Sequence, residues 1–249
     1  MLKEERFRLI LRQVHLHNKV LSTDLSELLG VSNDTIRRDL KELTDLGKVI
    51  KTHGGAVSPT FINTITDNKD IYAHDQKKII AEKANTLIKS NMTIVVEGGT
   101  TVLEFAKKIS SHIKATFYTI SPHTAITLAA HENLTVYTIG GKLDKNSNLH
   151  TGAEVINRLM ELQADLCLTG ANGFSIQKGL TDVDWEVVQV LKAMTRCAKK
   201  TGVLTISEKL NTQQKIMVCD FNKIDYLVTE LDTGAEILKP YVNSHIKVL

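Results

Sequence analysis

Cysteine and proline are both scarce in this sequence of 249 residues. The only cysteines are Cys167, Cys197 and Cys219, an odd number of thiols that lie far apart. This spacing excludes the disulfide framework of a small secreted domain, and it offers no cysteine pair at the separation of a metal site. Buried thiols in a reducing cytoplasm are the expected state. With three prolines and 42% hydrophobic residues, the chain fits a globular protein with a sizeable core, in one large or two modest domains.

Long apolar stretches are missing as well. No run approaches the roughly 18 apolar residues of a membrane-spanning helix, and the first ten residues are charged, without the apolar core of a signal peptide. We therefore expect a cytoplasmic protein with no membrane partner. The nine histidines are scattered and form no ligand pattern, so neither a metal nor another cofactor is expected.

A large excess of positive charge is also lacking. The net charge is +3, with 31 lysines and arginines against 28 aspartates and glutamates. Residues 1–57 hold ten of the basic and eight of the acidic residues, which gives +2 for this segment and leaves +1 for the rest. Charge alone is thus a weak indicator of nucleic-acid binding, and such a function must be argued from the local placement of side chains.

The most informative stretch runs from Ser32 to Ala56. Ser32 is a suitable N-cap, apolar residues follow it at helical spacing, and Gly47 stands where a helix-ending glycine is expected. The apolar residues are Ile36, Leu40, Leu43 and Leu46. Polar and cationic side chains, among them Arg37 and Arg38, fall off this stripe, as a recognition helix in the DNA major groove requires. An ordinary amphipathic surface helix would show the same pattern.

The preceding residues favour DNA recognition over an ordinary surface helix. A first helix is predicted over residues 5–17, and a second, capped by Ser22, over residues 23–29. Their inward residues are Phe7, Ile10, Leu11 and Val14 in the first helix and Leu25, Leu28 and Leu29 in the second. A tight turn at residues 30–32 completes the helix-turn-helix pattern. Residues 49–53 then predict a strand pair, or wing, that ends in two glycines and places Lys48, Lys51 and His53 near phosphates.

Residues 1–57 resemble the winged helix-turn-helix domain of the DeoR/GlpR family of bacterial transcriptional regulators. The matching residues are Arg6, Ser32, Thr35, Ile36, Arg37, Arg38, Asp39, Leu40, Leu43, Gly47, His53, Gly54, Gly55 and Ala56. Lys51 replaces the usual arginine, and lysine keeps the charge without the planar fork, which favours a phosphate contact. The resemblance implies double-stranded operator DNA as a partner. The predicted DNA-binding residues are Ser32, Asn33, Asp34, Thr35, Arg37, Arg38, Lys41, Lys51, His53 and Gly54.

Residues 58–75 lack a clear period and are rich in Thr, Asn and Asp, which is typical of a linker. A helix is predicted over residues 76–90, and short apolar strands then alternate with helices. The predicted strands are Thr93–Val96, Thr116–Ile120, Thr135–Ile139, Asp165–Thr169, Val203–Ile206, Lys215–Cys219 and Tyr226–Thr229. The predicted helices are Thr101–Ser110, Thr124–His131, Ala153–Leu162, Asp184–Lys199 and Ala235–Tyr241. Such alternation predicts a mostly parallel, Rossmann-like sheet covered on both faces. Trp185 is expected to take part in helix packing with Val187, Val188 and Leu191, and the alternative is a ring that stacks on a ligand.

Polar loops follow the strands of this predicted sheet, at the end where such folds bind ligands. Residues 97–101 open a helix with two glycines and two threonines, which provide backbone amides and hydroxyls for an anion. A glycine pair after a strand is more often just a turn, but five polar loops at one end favour a small anionic, hydroxyl-rich ligand. The predicted effector-binding residues are Gly98, Gly99, Thr100, Thr101, Ser121, His123, Gly140, Gly141, Lys142, Asn172, Gly173, Thr181, Asp182, Glu186 and Lys209.

Residues 76–230 resemble the sensor domain of the same family, whose fold is similar to ribose-5-phosphate isomerase and whose effectors are usually phosphorylated sugars. The matching residues are Gly99, Thr100, Thr101, Gly140, Gly141, Gly152, Asp165, Gly170, Gly179, Leu180, Thr181, Ser207 and Lys209. Three departures bear on the effector. Glu97 replaces a common aspartate, residues 121–123 replace the usual Thr-Asn pair, and Ile206 replaces another aspartate.

The sequence therefore predicts an α/β protein with a winged helix-turn-helix over residues 1–57, a linker over 58–75 and a sensor domain over 76–249. The resemblance implies a repressor of sugar or carbohydrate catabolism genes that binds a phosphorylated sugar and has no catalytic residues. Because operator half-sites mirror the protein's symmetry, a homodimer or homotetramer is expected. Two alternatives remain open. One is a sugar-phosphate isomerase-like enzyme with a DNA-binding appendage, using Glu97, Asp182, Glu186 and Lys209 in acid–base roles. The other is a DNA-binding protein whose α/β domain only oligomerises.

Overall fold

A computed structural model describes residues 1–59 and 71–249 of the chain. Two compact units, Met1–Tyr72 and Ala73–Leu249, make up the protein. Most of the predicted linker lies outside the described residues, so its boundaries stay a prediction. The first helix of the second unit begins at His74, slightly before the start predicted at residue 76.

The first unit contains three helices and a small antiparallel sheet. The helices are α1 (Lys3–His17), α2 (Ser22–Leu29) and α3 (Asn33–Asp45), and the strands are β1 (Lys19–Leu21), β2 (Ile50–Thr52) and β3 (Gly55–Val57). The strand order is β1-β3-β2, so β2 and β3 form the predicted wing. Strand β1, which the sequence did not indicate, pairs with the other side of β3.

Helix α3 has both of its predicted end signals. The hydroxyl of Ser32 accepts a hydrogen bond from the backbone N–H of Thr35 at 3.2 Å, which satisfies one amide of the first turn. At the other end Gly47 has a φ of +69°, and the backbone N–H of Lys48 donates to the carbonyl of Leu43 at 2.9 Å. This is the bond pattern of a glycine-terminated helix, and it directs the chain into the wing.

Three local predictions in the first unit are wrong. Leu28 and Leu46, which were predicted to face inward, are each 60% exposed. Leu46 follows the last residue of α3 and so leaves the buried stripe, while Leu25 and Leu29 already fill the inward side of α2. Ser22 does not cap α2, because β1 runs directly into the helix and Leu21 occupies the cap position without a side-chain bond.

The second unit contains most of the regular structure. Its helices are α4 (His74–Asn85), α5 (Thr100–Lys107), α6 (Pro122–Ala129), α7 (Ala153–Met160), α8 (Trp185–Arg196) and α9 (Lys239–Val242). Its strands are β4 (Thr93–Val96), β5 (Ala115–Thr119), β6 (Leu134–Thr138), β7 (Lys142–Asp144), β8 (Leu149–Thr151), β9 (Ala164–Thr169), β10 (Gly173–Ser175), β11 (Gly179–Asp182), β12 (Ala198–Leu204), β13 (Ile216–Cys219), β14 (Tyr226–Val228) and β15 (Lys247–Val248). No helix in the described part of the chain has the length and apolar character to cross a membrane.

Seven parallel strands form the large sheet, in the order β15-β14-β12-β9-β4-β5-β6. The chain runs from β4 through β5 to β6 in one direction, and then from β9 through β12 and β14 to β15 in the other. The order therefore reverses between β4 and β9, and the crevice beyond the carboxyl ends of these two strands is where such sheets bind ligands. The predicted, mostly parallel α/β sheet is confirmed.

Hydrophobic side chains cover both faces of the large sheet. Val95 and Cys167 point to one face and pack with Val188 of α8, all fully buried. Phe117 points to the other face, where its ring lies 6.5 Å from that of Phe105 on α5. This alternation along the strands leaves the ends of the central strands, rather than their faces, available for a ligand.

Smaller elements of the second unit differ from their predictions. The strand predicted over Lys215–Cys219 forms, but in a separate antiparallel sheet with the order β10-β11-β13, and β7 and β8 form a hairpin that was not predicted. The predicted C-terminal helix is divided into a 3-10 turn, Glu236–Leu238, and the short α9. Trp185 is 65% exposed because it is the first residue of α8, so its predicted helix packing is wrong.

Candidate DNA interface and effector site

The outer face of α3 carries the polar and cationic side chains that were predicted to meet DNA. The exposed residues are Ser32, Asn33, Asp34, Arg37, Arg38 and Lys41, and Thr35 is half-buried. One guanidinium nitrogen of Arg37 donates to Asp34 at 3.3 Å. Because both side chains are well exposed and the contact is long, it stabilises the protein little, and Arg37 can exchange it for a DNA group.

Helix α1 fixes the orientation of α3 through Arg6 and Asp39. Nη2 of Arg6 donates to Oδ1 of Asp39 at 3.0 Å, and Nε donates to Oδ2, so the pair is bidentate. The side chains are only 13% and 5% exposed. The hydrogen bond from Arg6 to Asp39 raises the pKa of the guanidinium further. Neither residue was predicted to bind DNA, and both instead position the helix whose other face carries Arg37 and Arg38.

The wing presents the remaining predicted DNA-binding residues. Lys51, His53 and Gly54 are all exposed, and Gly54 has a φ of +83° at the tip, a conformation that glycine adopts without strain. Gly55 is required for another reason, since a Cβ there would lie 1.9 Å from the carbonyl oxygen of Val20. The close approach of β1 therefore fixes the base of the ribbon.

In the second unit, Glu97 crosses the point where the strand order reverses. Its Oε2 accepts hydrogen bonds from the backbone N–H of Gly170 at 2.8 Å and from the hydroxyl of Thr169 at 2.5 Å. Burial raises the pKa of Glu97 to about 7. The hydrogen bond from Thr169 lowers this pKa, and the negative charge of Asp182 raises it further. A carboxyl group that titrates near neutrality thus lies in the crevice between β4 and β9.

The residues after Glu97 begin α5. A Cβ on the buried Gly98 would lie 2.9 Å from Oγ of Ser121, and Gly99, the N-cap residue, has φ +86° and ψ 162°, a region that only glycine populates readily. Thr100 is 5% exposed, and Thr101 is half-buried. First-turn amides of a helix have no acceptor within the helix, and glycines at such a turn let an anion approach them.

Lys209 brings a positive charge to the same crevice. Its Nζ donates to the carbonyl of Ala171 at 2.7 Å. Burial lowers the pKa of Lys209 to about 8, while the negative charges of Asp182 and Glu97 oppose that shift. Asp182 in turn accepts a hydrogen bond from the side chain of Asn172 at 2.7 Å, and burial raises its pKa. These polar side chains therefore form one cluster. Glu97, Asn172 and Lys209 follow β4, β9 and β12 of the large sheet, and Asp182 is the last residue of β11.

Two predicted residues lie on the first turn of α6. The hydroxyl of Ser121 accepts the backbone N–H of Thr124 at 3.3 Å, so Ser121 is the N-cap of the helix. Its proximity to Gly98 places this cap beside the turn that begins α5. His123 follows Ser121 by two residues and is half-buried.

The residues predicted around β7 and α8 form a separate polar group. Nζ of Lys142 lies 3.1 Å from the carboxylate of Glu186 in an exposed ion pair, and the hydroxyl of Thr151 donates to Glu186 at 3.2 Å. Gly140 precedes this group, and a Cβ on Gly141 would meet the carbonyl oxygen of Thr151 at 2.9 Å. Gly141 thus lets the start of β7 approach Thr151 of β8, whereas a Cβ on Gly140 would meet nothing within 4 Å.

Gly173 and Thr181 lie in the small antiparallel sheet. The hydroxyl of Thr181 donates to the carbonyl of Gly173 at 3.1 Å and accepts the backbone N–H of Gln214 at 2.8 Å. Since its hydroxyl already makes two bonds within the protein, Thr181 has an evident structural role. An effector contact by either residue stays a prediction.

Two buried charged residues were absent from the predicted effector site. Glu97 was assigned only a possible catalytic role, although it bridges the two halves of the sheet. Lys77 of α4 is 6% exposed, and burial together with the charge of Lys209 lowers its pKa to about 7. The spacing of Lys77 with the buried Ile80 and Ala81 follows helical periodicity, and this signal could have identified it.

The thiols and carboxylates give no sign of a metal centre. Within residues 1–59 and 71–249, no group of three or more His, Cys, Asp and Glu side chains is placed to hold a metal ion. Cys167 and Cys197 are buried free thiols and Cys219 is partly buried. Burial raises the pKa of Cys197 to about 11, so this thiol is unreactive at neutral pH.

Known proteins match the chain along nearly its whole length. The DeoR C terminal sensor domain matches residues 72–231, and the DeoR-like helix-turn-helix domain matches residues 6–61. The HTH-type transcriptional regulator GolR of Listeria innocua serovar 6a is 30% identical over 98% of this chain and 97% of its own length. The HTH-type transcriptional repressor GlcR of Bacillus subtilis (strain 168) is 32% identical over 92% of this chain and 89% of its own length.

More distant matches include a regulator and an enzyme. The glycerol-3-phosphate regulon repressor of Escherichia coli (strain K12) is 22% identical, with 100% of this chain and 99% of that protein covered. A solved structure of ribose 5-phosphate isomerase A from Methanocaldococcus jannaschii is 19% identical, covers 55% of this chain and 54% of its own, and has a TM-score of 0.40. That structural likeness is too slight to support an argument about function.

A helix-turn-helix unit joined to an α/β unit with a polar crevice at its strand-order reversal defines a DNA-binding transcriptional regulator. The chain belongs to the DeoR family of such regulators, because both characteristic domains match and a relative is 30% identical over 98% of the chain. The resemblance found in the sequence is confirmed.

Proposed function

We propose that the protein represses sugar or carbohydrate catabolism genes and that a phosphorylated sugar, bound in the crevice between β4 and β9, changes its affinity for operator DNA. The observation that carries this proposal is the combination, at one crevice, of the α5 N-terminus with the buried ammonium group of Lys209. An anionic group is stabilised by both.

The chemistry of the crevice supports a sugar phosphate over a simple anion. The first-turn amides of α5 and the hydroxyl of Thr100 would bind the phosphate. The carboxyl groups of Glu97 and Asp182 would accept hydrogen bonds from sugar hydroxyls, which a bare phosphate ion does not have. Burial of both carboxyl groups makes each such bond stronger than it would be in water.

The names of relatives also support this assignment. Two of them are transcriptional repressors, and one is named for the glycerol-3-phosphate regulon. Applied to this chain, those names are consistent with repression and with a phosphorylated effector. The protein would act in the cytoplasm on double-stranded operator DNA, as a homodimer or homotetramer whose symmetry matches that of the operator.

We further propose that the second unit binds its effector without converting it. Both protein hydrogen bonds to Glu97 end on Oε2, so in this binding role Oε1 accepts a sugar hydroxyl. The relatives reported above are named as regulators. Turnover of pentose or hexose phosphates by the purified protein would instead favour the isomerase-like alternative.

A thermal-shift screen of the full-length protein tests the proposal. Each sugar phosphate is compared with the same sugar without its phosphate and with inorganic phosphate. A ligand that binds only the folded state stabilises it by RT ln(1 + [L]/Kd), about 2.7 kcal/mol at a hundredfold excess over Kd. At least one sugar phosphate should raise the melting temperature well above both controls. If none does, the α/β unit only oligomerises and the sensing proposal is wrong.

A further inference from the structure

The two edges of the large sheet are built differently. At one edge, β15 has only two residues, and one of them is Lys247. At the other edge, β6 has five residues, Leu134–Thr138, without lysine, proline or a bulge in its pairing with β5. Short length and charge are the usual devices that stop an edge strand from pairing with another chain. Strand β6 lacks them all.

The free side of β6 carries several backbone groups that can pair with another strand. The backbone N–H of Ile139 donates to Thr119 of β5 at 2.8 Å, so by strand alternation residues 135, 137 and 139 point toward β5. The N–H and C=O groups of Val136 and Thr138 and the C=O of Leu134 therefore point away from β5, whereas the N–H of Leu134 donates to the carbonyl of His131 at 3.2 Å. Within residues 1–59 and 71–249, β6 pairs with β5 alone.

The segment of the chain that forms this edge carries almost no charge. Although 24% of the residues in the chain are charged, Glu132 is the only Asp, Glu, Lys or Arg between Lys114 and Lys142. Ile126 of α6, which packs against β6, is 71% exposed, and Tyr137 of β6 is 51% exposed. The surface helix of a globular protein normally carries charged residues on its outer face, whereas α6 has none.

We propose that β6 pairs in an antiparallel manner with β6 of a second copy of this chain, so that a two-fold axis passes beside Val136. The pairing joins the two seven-stranded sheets into one continuous sheet. This pairing would form the homo-oligomer that the proposed function requires. The inference rests on the proposed function only in the expectation that the protein is a homo-oligomer.

The register of this pairing follows from the free backbone groups. Val136 faces its own copy as a hydrogen-bonded pair that exchanges two N–H···O bonds. Leu134 faces Thr138 of the second copy, and there the N–H of Thr138 donates to the carbonyl of Leu134, because the N–H of Leu134 already donates to His131. Between these pairs, Thr135 faces Tyr137 of the second copy. Aromatic and β-branched residues in direct opposition stabilise a sheet.

A second copy fits this edge better than an unrelated partner does. An isologous interface must be self-complementary. Strand β6 meets this condition, because its free backbone groups alternate along the strand on both sides of Val136. The nearly uncharged segment also avoids the like-charge repulsion that symmetry would otherwise create between identical residues. If a peptide or another protein bound to this edge instead, opposite charges introduced into two copies of this chain would not restore its binding.

A charge-swap experiment on the full-length protein tests the proposal. In Thr135→Lys/Tyr137→Lys, lysines oppose lysines twice across the axis, and in Thr135→Glu/Tyr137→Glu, glutamates oppose glutamates. Like charges in direct opposition destabilise a sheet, so each variant should dissociate at least about tenfold more readily than wild type in analytical ultracentrifugation. An equimolar mixture of the two should recover assembly as a heterodimer.

The matched control adds two positive charges elsewhere on the second unit. Thr233 and Val242 are exposed, and Thr233→Lys/Val242→Lys should assemble as wild type does. Circular dichroism establishes that each variant is folded. A monomeric wild type, or lysine and glutamate variants that assemble as wild type does, overturns the proposal. So does a mixture that fails to recover assembly.

A cysteine variant tests the register independently of stability. Val136→Cys places two thiols across the axis at about 5.5 Å between Cα atoms, within the range of a disulfide. Thr138→Cys is the control, because its two copies would be offset by about 14 Å along the strand. Oxidation should link Val136→Cys into a dimer and leave Thr138→Cys unlinked, whereas equal yields from both contradict the register. Neither experiment uses DNA or an effector, so failure of this pairing is distinguishable from failure of the proposed function.

Discussion

The carboxylate of Glu97, after β4, accepts the backbone N–H of Gly170, after β9, at 2.8 Å. These two strands are neighbours in the sheet but belong to its oppositely wound halves. A single side chain therefore spans the crevice in which we place the effector. Any ligand that hydrogen-bonds to Glu97 acts on the contact between the two halves of the second unit.

Replacing Glu97 with glutamine should change how stability depends on pH. The pKa of Glu97 is raised from 4.5 to about 7 in the folded protein, so the folded state holds this proton more firmly than the unfolded state. The wild type must then lose stability, through this group, as the pH rises from about 4.5 through about 7. Glu97→Gln lacks that loss. The free energy of unfolding of Glu97→Gln, relative to that of the wild type, should therefore increase over this pH range.

Urea denaturation at a series of pH values measures the effect. Glu132→Gln is the control, since it removes a negative charge from an exposed glutamate. If the free energies of unfolding of wild type and Glu97→Gln run parallel with pH, Glu97 does not titrate in this range and its proposed environment is wrong.

Asp39→Asn should destabilise the first unit strongly. The variant leaves the guanidinium group of Arg6, 13% exposed, without its carboxylate, and breaking a buried ion pair costs about 3–5 kcal/mol. Hydrogen exchange in peptides that cover α3 measures the local free energy of opening. Glu42→Gln is a well-matched control, because it breaks an exposed pair between the same two helices, Lys3 with Glu42, and should cost less than about 1 kcal/mol. Equal protection of α3 in both variants would show that the Arg6 pair does not hold this helix.

Arg37 and Arg38 should contribute differently to DNA binding. We expect one arginine to contact a guanine edge, worth about 1–3 kcal/mol of base discrimination, and we assign this role to Arg37. Arg37→Ala should then relax sequence preference, whereas Arg38→Ala should weaken binding to all sequences and reduce the salt dependence by about one phosphate contact. Titrations of specific and random DNA at several salt concentrations distinguish the two. A double alanine variant that is folded and binds operator as wild type does rules out α3 as the recognition helix.

Sequence patterns predicted the large elements well and the small ones poorly. Ser32, Gly47 and the apolar runs of β4 and β9 carry local signals that tertiary contacts reinforce, so α3 and the parallel sheet were foreseeable. Strands as short as β1 and β7 have too few residues for periodicity to be distinctive. Their pairing depends on close approaches between distant segments, such as Gly55 against Val20.

The candidate site was predictable as a set of loops but not as a set of contacts. The reversal of strand order brings Glu97 to Gly170, and no local pattern reports that neighbourhood. For the same reason the sequence does not reveal that the hydroxyl of Thr181 already makes hydrogen bonds with the backbone of Gly173 and Gln214. The burial of Lys77 was visible in helical spacing, but its proximity to Lys209 was not.

Substitutions in the turn that begins α5 should separate effector binding from folding. Thr100→Val keeps the shape of a side chain that is 5% exposed and removes its hydroxyl. Loss of one hydrogen bond to a charged ligand costs about 1.5–3 kcal/mol, which is about ten- to hundredfold in affinity. Gly99→Val should be worse, because φ is +86°. Isothermal titration with the sugar phosphate found by thermal shift measures both, with Thr233→Val as the control. Unchanged affinities would place the ligand elsewhere.

The most direct test of the account is the effect of that sugar phosphate on DNA binding by the full-length protein. Operator DNA is selected from a random library, and its binding is followed by fluorescence anisotropy as the effector is added. Wild type should change its affinity for operator by about 5- to 150-fold, the range of typical allosteric coupling. Thr100→Val should bind operator equally well without effector and need at least about tenfold more effector for the same change. Operator affinity that no sugar phosphate alters, or a Thr100→Val response identical to that of wild type, would contradict the account.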